Sequence, residues 1–317
     1  MSPCRLTPSE EKSKVLIDSN WGSRYIPAER KLLSFDPWNL IRVMPAKGSA
    51  FFRKLPAASE NSRLPIPGAF FMIEIRNFTK SFHNRLVIGD FSLFAREGTL
   101  TALLGPSGCG KSTFFDLLMG NISRDGGKLF LSGKEIPDLK GTTAYMSQKD
   151  LLLPWLTLRE NALLPIAVKK TPSASDIREA EELFELLGLS GSGDLYPRHV
   201  SGGMAQRCTL ARTILFRTPI VLLDEPFSAV DAITRQTLRS LLLLLLLRSR
   251  FRKTLLMITH DVEDALLLAD SIIILSSAPM TAREKLAIPT PKENRQGDPS
   301  LQEKKERILA MLQEKVS

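Results

Sequence analysis

The stretch "GPSGCGKST" at 105–113 has the spacing G-x-x-x-x-G-K-[ST], and its chemistry is the cradling of phosphate. Gly105, Gly108 and Gly110 let the backbone wrap close enough for successive N–H groups to point at phosphate oxygens, with Pro106 and Ser107 completing the loop. Lys111 offers a cation to the β- and γ-phosphates, Ser112 a hydroxyl to Mg²⁺, and Thr113 a donor towards the α-phosphate. Cys109 is read as a small residue packed inside the loop, because no second cysteine lies nearby to resolve a redox step. The stretch "IVLLDEP" at 220–226 supplies carboxylates. Asp224 can hold the Mg²⁺ shell, and Glu225 can orient and deprotonate a water for attack on the γ-phosphate. The two can divide this labour because adjacent side chains diverge where a strand gives way to a turn. His260 ends "TLLMITH" at 254–260, at the same sheet edge, where it can bond the γ-phosphate.

A second glycine-rich start lies far downstream, "VSGGM" at 200–204. Ser201, Gly202 and Gly203 at a helix start combine a hydroxyl with bare N–H groups, which is a second anion site. Taken alone it reads as a simple N-cap with a Gly-Gly turn.

These residues need elements to position them. "MIEIRNFTKSF" from Met72 and "LVIGDFSLFA" alternate like strands, and "GTLTALLG" is a buried strand running into Gly105, with a helix from about Lys111. Strands around 128–132 and 142–146 follow. Residues 173–187 place Ile177, Ala180, Leu183, Phe184 and Leu187 on one face of an amphipathic helix ended by Gly188. A further helix runs from about Gly202 to Phe216. The apolar strand at 220–226, a helix at about 232–247, the strand at 254–260, a helix after Asp261 and the strand "SIIIL" complete an alternating order that implies a parallel sheet. Region 150–208 reads as almost wholly helical, an inserted subdomain.

The composition, 43% hydrophobic and 24% charged over 317 residues, is that of an ordinary globular chain. The net charge of +9 would invite a nucleic-acid or membrane reading, but residues 1–71 alone carry eleven Lys and Arg against six Asp and Glu. The excess is therefore read as solvated charge on a weakly structured N-terminal extension, 1–71, and no nucleic-acid partner is expected. Met72 is an alternative first residue. Three cysteines give neither a disulfide framework nor a zinc site, and no export signal is expected at the N-terminus. The longest leucine run, Leu241–Leu247, is too short for a membrane span, which takes about 20 residues. Core packing against the sheet accounts for it, with a partner contact as the alternative.

The ordered set "GPSGCGKST", Gln148, "VSGGM", "IVLLDEP", "SAVD" and "ITHD" resembles the ATP-binding cassette family, and specifically the ATPase subunit of a bacterial importer. The resemblance covers about 72–310. It implies an α/β fold: a P-loop NTPase with a RecA-like parallel sheet core, an antiparallel β subdomain and an inserted helical subdomain at about 150–208, the ATPase domain spanning 72–290 and a tail with a terminal helix 291–317. It also implies a head-to-tail dimer with a second copy, in which Ser201, Gly202, Gly203 and Met204 of one chain face the phosphate loop of the other. Gln148 resembles the glutamine that touches Mg²⁺ and water while its loop meets a membrane permease. Asp231 resembles the aspartate that communicates across the dimer. Phe82 lies where an aromatic stacks on adenine, a core phenylalanine being the alternative.

"LLLPWLTLRENALLP" and the tail resemble the branch importing nitrate, sulfonates, taurine or pyrimidine precursors. Val200 departs from the family's usual leucine, and Lys149 from its usual acidic residue. The expected function is ATP hydrolysis driving dimer closure and reopening. That motion would be coupled to a separate permease and, through it, to an external solute-binding protein, at the cytoplasmic face of the inner membrane. The alternatives are a soluble cassette ATPase outside transport and a nucleotide-binding regulator without turnover.

Overall fold

The computed structural model describes residues 71–148, 151–228, 230–247 and 253–313. The expected N-terminal extension and the departure at Lys149 lie outside the described residues.

Alternation in the first motif-bearing stretch resolves as β1 (Phe71–Phe82), which pairs antiparallel with β2 (Arg85–Arg96). The joining turn is two residues, His83 and Asn84, with φ of 45° and 61°. Positive φ at both central positions matches the right-handed twist of a hairpin. β1 also pairs with β4 (Gly126–Leu131), and β4 with β5 (Lys134–Ile136), giving an antiparallel sheet in the order β2-β1-β4-β5. This is the antiparallel subdomain that the resemblance implied.

The second sheet runs β10-β9-β3-β8-β7-β6. Its members are β3 (Leu100–Leu104), β6 (Thr143–Met146), β7 (Ile220–Asp224), β8 (Thr254–Thr259), β9 (Ser271–Leu275) and β10 (Ala282–Ala287). All are parallel except β10, which runs antiparallel to β9. β5 and β10 were absent from the sequence reading. β5 is only three residues long, and "AREKLA" of β10 has no apolar alternation, its charges suiting an edge strand that must not pair further.

Both faces of the parallel sheet are covered, which is why its strands are apolar throughout. Val221 and Leu223 of β7 join one core with helices α2 (Leu158–Ala167), α3 (Ala174–Leu186), α4 (Gly202–Leu215), α5 (Ala232–Leu247) and α6 (Val262–Leu268). Ile220 and Leu222 join the other, between the two sheets, with helix α1 (Lys111–Leu118). There Phe114 packs edge-on against Phe91 at 5.0 Å. The leucine run settles its two readings: Leu241, Leu242, Leu243 and Leu245 are buried in the first core.

Three boundaries differ from the reading. The strands expected at 220–226 and 254–260 stop at Asp224 and Thr259, because Glu225 turns left-handed at φ 47° and Asp261 caps α6, accepting from Glu263 N and Asp264 N. In α3, Ala180, Leu183 and Phe184 are buried and Leu187 follows them, but Ile177 is 40% exposed. Asp176 takes the buried place instead, held by the Ser173 capping box and by Arg217. The region 150–208 holds α2, α3 and the start of α4, but the segment 187–201 is helical only in the short turn Pro197–His199. Within the C-terminal tail, α7 (Pro299–Gln313) packs on α6, and the buried Arg295 donates to Ala269 O, Leu267 O and Thr290 O, closing the end of α6.

Candidate nucleotide site

Four neighbouring strands, β3, β8, β7 and β6, end side by side. Leu104 pairs with Thr259 and Asp224 with Ile258. The loops leaving their carboxyl ends carry the phosphate cradle, His260, the Asp224–Glu225 pair and Gln148. Such an edge is where open parallel sheets bind ligands.

The cradle follows β3. Gly108 and Gly110 have φ of 76° and 114°, the latter beyond the reach of most side chains. Gly105 is required for space, since a Cβ there would stand 2.8 Å from Leu275 Cβ. Lys111, 6% exposed, folds its ammonium back onto Gly105 O at 2.9 Å and Pro106 O at 2.8 Å. Those two carbonyls hold the cation over the loop. Pro106, Ser107 and Ser112 are exposed and Thr113 half-buried. Cys109 is buried, and that burial raises its thiol above the ordinary range. Its side chain is turned into the protein, so only its backbone faces the cradle, in keeping with a packing role.

At the end of β7 the two carboxylates part. Asp224, 7% exposed, accepts from Tyr145 Oη at 3.0 Å. Burial raises its carboxyl above the ordinary value, the Tyr145 hydrogen bond opposes that, Glu225 adds to it, and Lys111 opposes it. Glu225 is directed elsewhere by its left-handed backbone, which is pinned by Glu225 N donating to Ile258 O at 2.9 Å and Ser228 N donating to Glu225 O at 3.1 Å. Its Oε2 lies 3.3 Å from His260 Nδ1 and accepts from Gln148 Nε2 at 3.4 Å. Gln148 also donates to Ser228 Oγ at 3.3 Å. Residues 148, 225 and 260, scattered along the chain, thus meet at one carboxylate.

The oxygen donors Ser112, Asp224 and Gln148 are of the hard type that Mg²⁺ takes. Among the described residues no group of three or more His, Cys, Asp or Glu could hold a metal by itself. A bound ion would therefore complete its shell with phosphate and water oxygens, the usual habit of Mg²⁺.

The remaining residues are held by other elements. Ser201 caps α4, accepting from Met204 N at 3.3 Å, and Met204 packs on the core. Gly202 is exposed with open space around it, whereas a Cβ on Gly203 would stand 2.6 Å from Thr234 Cγ2. That close approach sets the start of α4 on the first turn of α5. Thr234 N and Oγ1 in turn donate to Asp231, at 3.0 and 2.7 Å. Phe82 is 39% exposed at the tip of the β1–β2 hairpin, with Lys80 Nζ 5.2 Å from its ring centre. It is not a core residue.

Two residues escaped the sequence reading. Tyr145 contacts Asp224 through its hydroxyl, and Gln206 of α4, 2% exposed, donates to Pro226 O, tying the Ser201-capped helix to the turn that bears Glu225. The "YMSQ" placement of Tyr145, one strand from Asp224, becomes meaningful only with the strand order. A glutamine on the buried side of a helix was the available signal for Gln206.

Comparison with known proteins agrees with this architecture. The ABC transporter family profile matches residues 88–228. Aliphatic sulfonates import ATP-binding protein SsuB 1 of Pseudomonas savastanoi pv. phaseolicola is 37% identical over 241 residues, 76% of this chain and 96% of that protein. An uncharacterized ABC transporter ATP-binding protein of Methanocaldococcus jannaschii is 32% identical, over 77% of this chain and 92% of that protein. Among solved structures, a dimeric post-hydrolysis state of an ATP-binding cassette bound to ADP and Pi superposes with a TM-score of 0.59 at 25% identity, covering 69% of this chain and all of that one. By sequence, by fold and by the grouping of its motifs, this chain belongs to the ATP-binding cassette family of transporter ATPases.

Proposed function

We propose that this chain is the ATP-hydrolysing subunit of an importer for a small anionic solute of the aliphatic sulfonate kind, acting as a head-to-tail dimer bound to a separate permease. The observation that carries the enzymatic part is the convergence of Gln148 and His260 on Oε2 of Glu225, next to the phosphate cradle. In this reading Glu225 takes the proton from the attacking water, with Gln148 and His260 holding its carboxylate in line. His260 also bonds the γ-phosphate. Lys111 holds the phosphates by its ammonium; Gly105, Ser107, Gly108, Cys109, Gly110 and Thr113 hold them mainly through backbone N–H groups and the Thr113 hydroxyl, and Pro106, which has no N–H to donate, shapes the loop. Ser112, Asp224 and Gln148 hold Mg²⁺, which when bound offsets charge on the phosphate oxygens. Phe82 offers an exposed face to adenine.

Ser201, Gly202, Gly203 and Met204 read the nucleotide of the second copy, and Asp231, capping α5 beside Gly203, carries the closure of one site to the other. Dimeric cassettes among the structural neighbours support the pairing. The names of the sequence relatives support import of a sulfonate-like solute; a solute-binding protein outside the cell, delivering that solute to the permease, is part of the proposal. No helix among the described residues is long and apolar enough to cross a membrane, and we assign the chain to the cytoplasmic face of the inner membrane, held by the permease. Leu151 and Trp155, 63% and 69% exposed, offer apolar surface for that contact. Asn161 fixes their loop, bonding Leu153 N, Leu153 O and Leu156 O.

The test is Glu225→Gln. ATP binding should persist, hydrolysis should fall by several orders of magnitude, and dimers should accumulate with ATP on size-exclusion chromatography. Turnover at the wild-type rate would defeat the assignment of the base. Co-purification of a permease with the tagged wild-type chain tests the transport role.

A further inference from the structure

Tyr145 has no part in the nucleotide chemistry described so far, yet its placement is specific. In the parallel pair β6–β7 it stands opposite Leu222. Side chains two residues apart along a strand share a face, so Asp224 is the next residue on the face that Tyr145 shares. A phenol is long enough to cover that step, and its hydroxyl donates to Asp224 Oδ2 at 3.0 Å. The ring is braced at its other side by Phe115 of α1, edge-on at 6.2 Å, and Phe115 is fully buried on the helix that begins with Lys111 and Ser112. A rigid aromatic therefore links the helix carrying the cradle's lysine and hydroxyl to one oxygen of the carboxylate at the end of β7.

We propose that Tyr145 is a positioning residue for the divalent cation: by occupying Oδ2 of Asp224, its hydroxyl fixes the carboxylate plane so that Oδ1 is presented to the ion. This rests on the reading of Asp224 as an ion-holding residue. A nearly buried carboxylate without that donor keeps its torsional freedom and loses a hydrogen bond that fixed one of its oxygens. Outer-shell partners of this kind typically change metal affinity about 10–100-fold when removed.

Tyr145→Phe tests this, because it keeps the ring and its contact with Phe115 and removes only the hydroxyl. Binding of a fluorescent, non-hydrolysable ATP analogue in EDTA reports the cradle and the fold, and should be unchanged. Mn²⁺ affinity of the protein–analogue complex, read by electron paramagnetic resonance, should fall about 10–100-fold. The Mg²⁺ concentration for half-maximal hydrolysis should rise by a similar factor, with the rate at saturating Mg²⁺ returning towards that of the wild type. Mn²⁺ affinity within twofold of the wild type overturns the proposal, and so does loss of analogue binding in EDTA, which would make the hydroxyl a fold contact. Asp224→Asn, measured in parallel, separates the two layers. If it leaves Mn²⁺ affinity intact, the ion-holding role of Asp224 fails; if it lowers the affinity while Tyr145→Phe does not, only the role of Tyr145 fails.

Discussion

Glu225 gives a direct measure of how much backbone strain the site holds. Its φ of 47° is in the left-handed region, which costs a residue with a Cβ about 1–2 kcal/mol. The turn cannot relax easily, since Glu225 N is bonded to Ile258 O and Glu225 O accepts from both Ser228 N and Ser228 Oγ. Replacing Glu225 by alanine and, separately, by glycine removes the same carboxylate and the same contacts to Gln148 and His260, so those losses cancel in the comparison. What remains is the strain, which alanine keeps and glycine sheds. Against it stands the greater unfolded-state freedom of glycine, about 0.5–1 kcal/mol.

Glycine should therefore be the more stable variant by roughly 1 kcal/mol, the reverse of the order expected in regular structure. Equilibrium urea unfolding of the nucleotide-free proteins reads this as a higher midpoint at equal slope. Both variants should lack ATP hydrolysis. An alanine variant as stable as the glycine variant would refute the reasoning, because it would mean that the turn does not hold position 225 left-handed.

Other outcomes are expected at neighbouring positions. Ser201→Ala should lower stability by about 1 kcal/mol through loss of the cap on Met204 N, and in a Glu225→Gln background should abolish ATP-driven dimers on size-exclusion chromatography. Asp264 is nearly buried beside Arg239, and burial raises its carboxyl from 3.8 to about 6. The folded state then holds a proton that the unfolded state releases near pH 4. This group's contribution to stability is present below about pH 4 and falls by about 3 kcal/mol as pH rises to about 6. Asp264→Asn should remove that slope, seen as a smaller difference in thermal midpoint between pH 4.5 and pH 7.

Much of the site is legible in the chain because its chemistry depends on residue types at fixed local spacing. A backbone that must approach phosphate needs Gly108 and Gly110 in their left-handed conformations, and Gly105 must pass close to Leu275. A cation and a hydroxyl must follow at once, as Lys111 and Ser112 do. A buried strand must end in Asp224, and a helix must open on Ser201. Strand and helix periods place these motifs on the right elements, because a parallel sheet covered on both faces forces continuous apolar runs such as "IVLLD". Where the pattern was weak, as in the charged edge strand β10, or where local capping displaced an apolar residue, as Asp176 did Ile177, the reading failed.

Other features are set by the sheet as a whole. The order β3-β8-β7-β6 brings Gln148 and His260 to one carboxylate oxygen, a meeting between residues far apart in sequence that no local spacing encodes. The left-handed turn at Glu225 requires a residue type that does not favour it, so only the surrounding hydrogen bonds can impose it. The contacts of Tyr145 with Asp224 and of Gln206 with Pro226 depend on strand register and on how α4 packs. Types and spacings select the chemistry through short-range geometry, while packing across the sheet decides which groups touch, because those contacts are formed between segments that the chain itself keeps apart.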